Sequence, residues 1–269
     1  MLDYLRLIRP LNCIMSAIAV YIATVVSGLG LYPGVETAYA MLAVFFVCGA
    51  GMAVNDYFDI DADKINRPKR PLASGKIGKN TALLYAFFLF ALGIFFSFMI
   101  NRTTLIVAII ASLLLLLYAW KLKKVMLVGN IITSILVALT FLFGGFIKMN
   151  IASLLPLALL AFLSNLGREI YKSIDDIMGD KKANVATIAV KFGVMKAKLL
   201  ASIFVIAAVA LSVVPFVLGT LGFVYLFFAA IADMLFILSI VVPVRFSAKL
   251  CKIAMLVALI AFFVGAAAK

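Results

Sequence analysis

Long apolar stretches recur along the whole of this 269-residue chain. A helix needs about 20 consecutive apolar residues to cross a bilayer, and nine stretches qualify. They cover residues 10–29, 37–56, 81–100, 103–120, 125–147, 151–171, 197–218, 220–242 and 249–268. Hydrophobic residues make up 67% of the chain and charged residues only 13%, whereas a soluble domain is about half apolar and a quarter charged. The sequence therefore predicts an all-α, polytopic membrane protein with nine transmembrane helices.

The basic residues indicate the orientation in the membrane. If the N-terminus lies in the cytoplasm, the 24 basic residues all fall on the cytoplasmic side except Arg102, Lys148 and Lys269. Cytoplasmic loops are enriched in Lys and Arg. We therefore expect a multi-pass protein of the cell membrane whose C-terminus lies outside. The net charge of +13 then indicates contact with anionic lipid or phosphorylated substrates, and not with nucleic acid.

Eight of the eleven acidic residues lie in two short segments. They are Asp56, Asp59, Asp61 and Asp63 in the first segment, and Glu169, Asp175, Asp176 and Asp180 in the second. The triplets Asn55/Asp59/Asp63 and Lys172/Asp176/Asp180 are spaced by four residues, which predicts one stripe on a helix in each case. Both segments follow an apolar span on the same predicted side.

Like charges crowded at a membrane edge repel one another, so they need a compensating cation. Histidine is absent and the three cysteines are far apart, which leaves oxygen ligands of the kind that Mg²⁺ prefers. Basic residues follow or accompany both segments, including Arg67, Arg168 and Lys172. Acids and bases around one pocket suit a metal-bridged diphosphate.

The first segment resembles a motif of the UbiA superfamily of intramembrane prenyltransferases, NDxxDxxxD followed by NRPxRPLxSG, at residues 55–63 and 66–75. Residues 176–180 are similar to the second motif of the family, DxxGD, and Tyr118 with Lys121 and Lys123 resembles its Tyr-and-Lys motif. The resemblance implies a single domain, 1–269, with nine helices in one bundle around a central cavity. It also implies transfer of a polyprenyl group from a polyprenyl diphosphate to an acceptor.

The resemblance further implies roles for individual residues. Two Mg²⁺ ions would be held by Asn55, Asp59, Asp63, Asp176 and Asp180, which with Tyr118 form the expected catalytic set. The expected substrate contacts are Asp56, Arg67, Lys123 and Lys172 near the diphosphate, and Arg9, Asn12, Lys121 and Arg168 on the acceptor side.

The acceptor is the open question. Residues 8–13 and 164–176 resemble an archaeal branch of the family. That branch transfers a geranylgeranyl group to the free hydroxyl of geranylgeranylglyceryl phosphate in ether-lipid synthesis. One alternative is an aromatic acceptor, as in quinone biosynthesis. Another is a cation-coupled transporter, for which acids at the bilayer midplane are typical; the acids of the two segments instead end their spans at one interface and are followed by basic loops, which favours catalysis. The role of Asp233, near the middle of the eighth stretch, stays open.

Overall fold

The computed structural model describes residues 2–32, 34–182 and 185–269. Within these ranges the chain contains no strand, and nine helices are long and apolar enough to cross a membrane. We number them first to ninth: Pro10–Leu29, Val35–Phe58, Lys79–Phe98, Arg102–Trp120, Val128–Gly145, Ala152–Asp175, Val194–Val217, Val224–Val241 and Val244–Ala267. The predicted all-α class and number of spans are confirmed.

Several predicted helix ends were wrong by a few residues. The largest error is in the ninth helix, which begins at Val244 instead of residue 249, because Pro243 serves as its N-cap and the basic residues that follow are helical. The sixth helix continues to Asp175 instead of ending at residue 171. Both errors place charged residues on a membrane helix where a loop was predicted.

Short helices lie outside the spans at the end of the bundle where the first span begins. They are Leu2–Ile8, Ile60–Asn66, Leu122–Lys124, Ile177–Lys182 and Ile188–Phe192. This end therefore carries most of the irregular backbone and both acidic segments.

The helices approach closely where small residues face one another. A Cβ atom added to Gly93 of the third helix would lie 2.6 Å from Cγ2 of Val47 and 2.9 Å from the carbonyl oxygen of Ala43 in the second. Small residues are typical of such contacts, because packing rather than the hydrophobic effect holds membrane helices together. Four buried apolar clusters share helices with one another, so all nine helices belong to one bundle.

The second and sixth helices are the most enclosed. In the apolar part of the second helix 50% of the residues are buried, and in that of the sixth helix 56% are buried. The corresponding share in the fourth helix is 22%. These two central helices are the ones that end in the acidic segments. Beside them lies a cavity of about 700 Å³, into which the ends of both helices project.

Candidate active site

The two acidic segments have the same backbone geometry. The second helix ends at Phe58 and is followed by Asp59 (φ −98°, ψ 5°), and the sixth ends at Asp175 and is followed by Asp176 (φ −93°, ψ 5°). These angles lie in a sparsely populated region that active-site residues often occupy. The chain therefore bends at an aspartate in both places.

Hydrogen bonds of helical spacing continue across each bend. The Asp59 amide donates to the Asn55 carbonyl (3.0 Å), and the Asp63 amide donates to the Asp59 carbonyl (2.7 Å). In the second segment the Asp180 amide donates to the Asp176 carbonyl (3.0 Å). We predicted that each triplet lies on one continuous helix, and this was wrong, because the chain bends within each triplet. The hydrogen bonds between residues four apart nevertheless continue across the bend.

Asn66 joins the two segments. Its Nδ2 donates to the carbonyl oxygen of Asp176 (3.0 Å), and its Oδ1 accepts from the amide of Gly179 (3.0 Å). Beside it, Nη2 of Arg67 lies 2.9 Å from Oδ1 of Asp176. Residues 110 or more positions apart in the sequence are thus held together at one end of the bundle.

Basic side chains pair with the acids of the first segment. Asp63 accepts two hydrogen bonds from Nη1 of Arg70 (2.7 and 2.6 Å), and Asp59 pairs with Lys123. Asp56 is only 1% exposed and pairs with both Arg9 and Arg70. Since breaking a buried ion pair leaves an uncompensated charge, Asp56 fixes the positions of two guanidinium groups.

Arg9 adopts a strained backbone conformation to reach Asp56. Its φ is 52° and its ψ is 69°, in the left-handed region that non-glycine residues seldom occupy. Burial lowers the pKa of the Arg9 guanidinium, and the Asp56 carboxylate opposes that shift. The turn before Pro10 thus directs this cation into the bundle.

Three side chains of the membrane-edge loops have perturbed pKa values. Burial, and then repulsion by Asp176, raises the pKa of Asp180 to about 6. Burial also raises the pKa of Asp63. Burial, and then repulsion by Lys172, lowers the pKa of Lys123 to about 7. Charged groups are therefore crowded in poorly solvated surroundings, which is typical of functional sites.

The structure separates the predicted site residues into two layers. Those that line the cavity are Arg9, Asn12, Asn55, Arg67, Tyr118, Arg168 and Lys172. Those packed behind them, outside the lining, are Asp56, Asp59, Asp63, Lys123, Asp176 and Asp180. Lys121 belongs to neither layer, because its side chain is exposed beyond the end of the fourth helix.

Sequence reasoning missed three residues of the site. Arg70 pairs with both Asp56 and Asp63. Glu169 holds Arg168 (2.7 Å) and Lys172 (3.0 Å) at the cavity wall. Lys252 of the ninth helix also lines the cavity.

Each of the three had a signal in the sequence. Arg70 lies within the first motif, and Glu169 lies beside one base and three residues before another. Lys252 belongs to a run of basic residues at helical spacing.

The oxygen atoms that could bind a metal at this site fit a hard divalent cation. In the described ranges no three Cys, Asp or Glu side chains are placed to bind a metal ion together, because Asp59, Asp63 and Asp176 each face a basic side chain. Oδ1 of Asn55 is buried at the cavity wall and has no hydrogen-bond partner among the described residues. An oxygen-only set that includes this unsatisfied amide oxygen suits Mg²⁺ better than a softer metal.

The contact between Gly179 and Asn66 yields a prediction. A Cβ atom on residue 179 would lie 2.2 Å from Nδ2 of Asn66, so Gly179→Ala should push the two acidic segments apart. We expect activity to fall by at least about tenfold, since catalytic groups tolerate little displacement. The measurement is the rate of pyrophosphate release by purified protein that is supplied with both a prenyl diphosphate and a prenyl acceptor.

Gly78→Ala is the matched control. A Cβ atom there would meet only Oγ1 of Thr81, at an ordinary 3.5 Å. Equal losses in the two variants would show that the Asn66–Gly179 contact has no special role.

Comparisons with known proteins agree with this geometry. The model of the UbiA prenyltransferase family matches residues 16–265. The digeranylgeranylglyceryl phosphate synthase of Methanopyrus kandleri is 38% identical over 265 residues, which cover 96% of this chain and 97% of that protein.

Two solved structures are similar to the whole bundle. One, of digeranylgeranylglyceryl phosphate synthase, is 40% identical with a TM-score of 0.78 and covers 99% of this chain and 98% of its own. The other, a UbiA homolog from Archaeoglobus fulgidus bound to DMAPP and Mg²⁺, is 17% identical with a TM-score of 0.71 and covers 99% of both chains. It shares the fold.

The family match covers most of the chain and both acidic segments, and the identity to the Methanopyrus kandleri protein extends over nearly its full length. The resemblance predicted from the two motifs is confirmed, and the transporter alternative loses its support. This chain, a multi-pass membrane protein, belongs to the UbiA prenyltransferase family.

Proposed function

We propose that this protein transfers a geranylgeranyl group from geranylgeranyl diphosphate to the free hydroxyl of geranylgeranylglyceryl phosphate. The products are digeranylgeranylglyceryl phosphate and pyrophosphate. The observation that carries the proposal is a cavity with a charged mouth and a largely apolar interior, in a chain whose full-length relatives include synthases of that product. A lipid diphosphate and a lipid phosphate both need such a combination.

The donor diphosphate binds at the two acidic segments. Asn55, Asp59, Asp63, Asp176 and Asp180 are the residues that would hold Mg²⁺, and two ions is our proposal. When bound, Mg²⁺ neutralises the diphosphate and stabilises the charge that develops on the leaving group. The Archaeoglobus fulgidus homolog, bound to DMAPP and Mg²⁺, supports the use of a divalent metal with a prenyl diphosphate in this fold.

Lysine and arginine side chains change partners when the donor binds. Lys123 pairs with Asp59 and Arg67 pairs with Asp176, so both cations already lie beside the carboxylates that the metal requires. Turning them from carboxylate to diphosphate oxygens frees the acids and clamps the substrate. Lys172, held at the cavity wall by Glu169, completes the clamp.

The reaction proceeds by cleavage of the allylic C–O bond. The electron pair leaves with pyrophosphate, and an allylic cation remains in the cavity. Tyr118 lines the cavity, where its ring faces the cation. Apolar walls exclude water, which would otherwise capture the cation. The oxygen of the acceptor hydroxyl instead forms a bond to the allylic carbon, and its proton passes to the departing pyrophosphate.

We assign Arg9, Asn12 and Arg168, which line the cavity, to the acceptor side. Asp56 contributes indirectly, since it holds Arg9 in place. The exposed position of Lys121 gives no support to the substrate contact that we predicted for it.

We also propose that the site opens toward the cytoplasm. Arg102, Lys148 and Lys269 are the only basic residues whose positions fall at the opposite end of the bundle. The strong imbalance follows the enrichment of cytoplasmic loops in Lys and Arg.

Substitution of single acids tests the donor site. Asp59→Asn and Asp180→Asn each remove one anionic ligand, and we expect the rate of pyrophosphate release to fall by at least about a hundredfold, as for loss of other electrostatic contacts to a leaving group. Asp61→Asn is the control, because the Asp61 side chain is 94% exposed and forms an ion pair with Lys64, away from the cavity. Wild-type rates in either Asp59→Asn or Asp180→Asn would remove the proposed metal site.

The acceptor is tested by supplying alternatives. Pyrophosphate release from geranylgeranyl diphosphate should require geranylgeranylglyceryl phosphate and should not occur with an aromatic carboxylic acid. Release with the aromatic acid alone would move the assignment to quinone synthesis.

A further inference from the structure

Three basic residues share one face of the ninth helix. Arg245, Lys249 and Lys252 are spaced by four and three residues and all line the cavity. This spacing keeps side chains on one face over about 10 Å of helix. Arg245 and Lys249, at the start of the stripe, are exposed, and Lys252, at its end, is half-buried. Lys252 lies about 12 Å along the helix axis from the first residue of the ninth helix.

No carboxylate within the described ranges forms a salt bridge with this stripe. The five other cations in the lining each form a salt bridge with a carboxylate: Arg9, Arg67, Arg70, Arg168 and Lys172. The ninth helix contains no acid, and in the part of the chain that the structure describes no salt bridge within 4.0 Å reaches Arg245, Lys249 or Lys252. An unpaired ammonium at membrane depth costs free energy, so the stripe calls for an anionic ligand.

A neighbouring amide holds the deepest member of the stripe in place. Nζ of Lys252 donates to Oδ1 of Asn12 on the first helix at 2.6 Å. An ammonium group has three donors, so this bond orients Lys252 and leaves donors for a ligand in the cavity. A lysine that only sets the orientation of the protein in the membrane would not need to be half-buried or to be hydrogen-bonded to a neighbouring helix.

The cavity face of the ninth helix becomes apolar beyond Lys252. Met255, Leu259 and Phe262 continue the same face along the lining. The first helix changes in the same direction, from Asn12 at the level of Lys252 to Ala19, which shares an apolar cluster with Phe262. The first and ninth helices thus line a slot that is charged at one end and apolar over the rest of its length.

We propose that Lys252, with Lys249 and Asn12, binds the phosphate monoester of the lipid acceptor, and that the acceptor's hydrocarbon chain lies along the ninth helix toward Phe262. This inference rests on the proposed function and names the headgroup site within it. The donor diphosphate has separate cations and the two acidic segments, so the stripe serves the second substrate.

The test compares both substrates in variants of the full chain. Lys252→Gln keeps a hydrogen-bonding group beside Asn12 but removes the charge, and Lys249→Gln is the second variant. We expect the acceptor KM to rise by about tenfold for Lys252→Gln, as for loss of a charged hydrogen bond. The donor KM should stay within about twofold, because the donor contacts are elsewhere. Lys252→Arg should restore much of the acceptor affinity.

Lys198→Gln is the matched control. Lys198 is also half-buried near the start of a spanning helix, the seventh, but does not line the cavity. Its KM values should match the wild type. A rise in donor KM alone for Lys252→Gln would overturn the proposal and assign the stripe to the diphosphate.

A binding measurement separates this inference from the proposed reaction. Geranylgeranylglyceryl phosphate should raise the Tm of the wild type in detergent more than geranylgeranylglycerol does, and Lys252→Gln should abolish that difference. If no pyrophosphate is released but the Lys252-dependent Tm difference persists, the reaction is wrong and the phosphate site stands. If the difference survives in both Lys252→Gln and Lys249→Gln, the phosphate site is wrong whatever the reaction.

Discussion

Repulsion among carboxylates at the ends of two buried helices is the constraint on which the site depends. The bilayer gives these groups little solvation, and the chain compensates in two ways. It bends at Asp59 and Asp176, so that the acidic residues after each bend do not continue the second and sixth helices. It also surrounds them with cations such as Arg67 and Arg70. The link through Asn66 then holds the two bends at a fixed separation.

These ion pairs suit a site that must exchange partners. A buried salt bridge gains little net free energy over the solvated ions, because desolvation offsets most of the attraction. Under the function that we propose, Lys123 and Arg67 therefore leave Asp59 and Asp176 at small cost when a diphosphate binds. Asp56 differs, since it is fully enclosed and holds Arg9 and Arg70 at once, which makes it part of the framework.

Much of this could be predicted from the sequence because the signals are local. Twenty-residue apolar stretches specify the spans, and the four-residue spacing of Asn55, Asp59 and Asp63 survives the bend. The bends themselves could not be predicted, since they depend on packing between segments more than a hundred residues apart. Lys121 was assigned from its proximity to Tyr118, but the end of the fourth helix turns its side chain outward.

Lys252 was overlooked because the sequence does not distinguish a lysine at the membrane surface from a lysine that binds a ligand until the first residue of the helix is known. Once the ninth helix begins at Val244, the same residue lies inside the bundle and faces the cavity. The two anion sites then differ for a chemical reason. A leaving diphosphate gains charge as its bond breaks and needs metal ions, whereas an acceptor phosphate is unchanged by the reaction and needs only fixed cations. Under both proposals, selection of a phosphorylated acceptor belongs to the ninth helix, away from the acids that we assign to the donor.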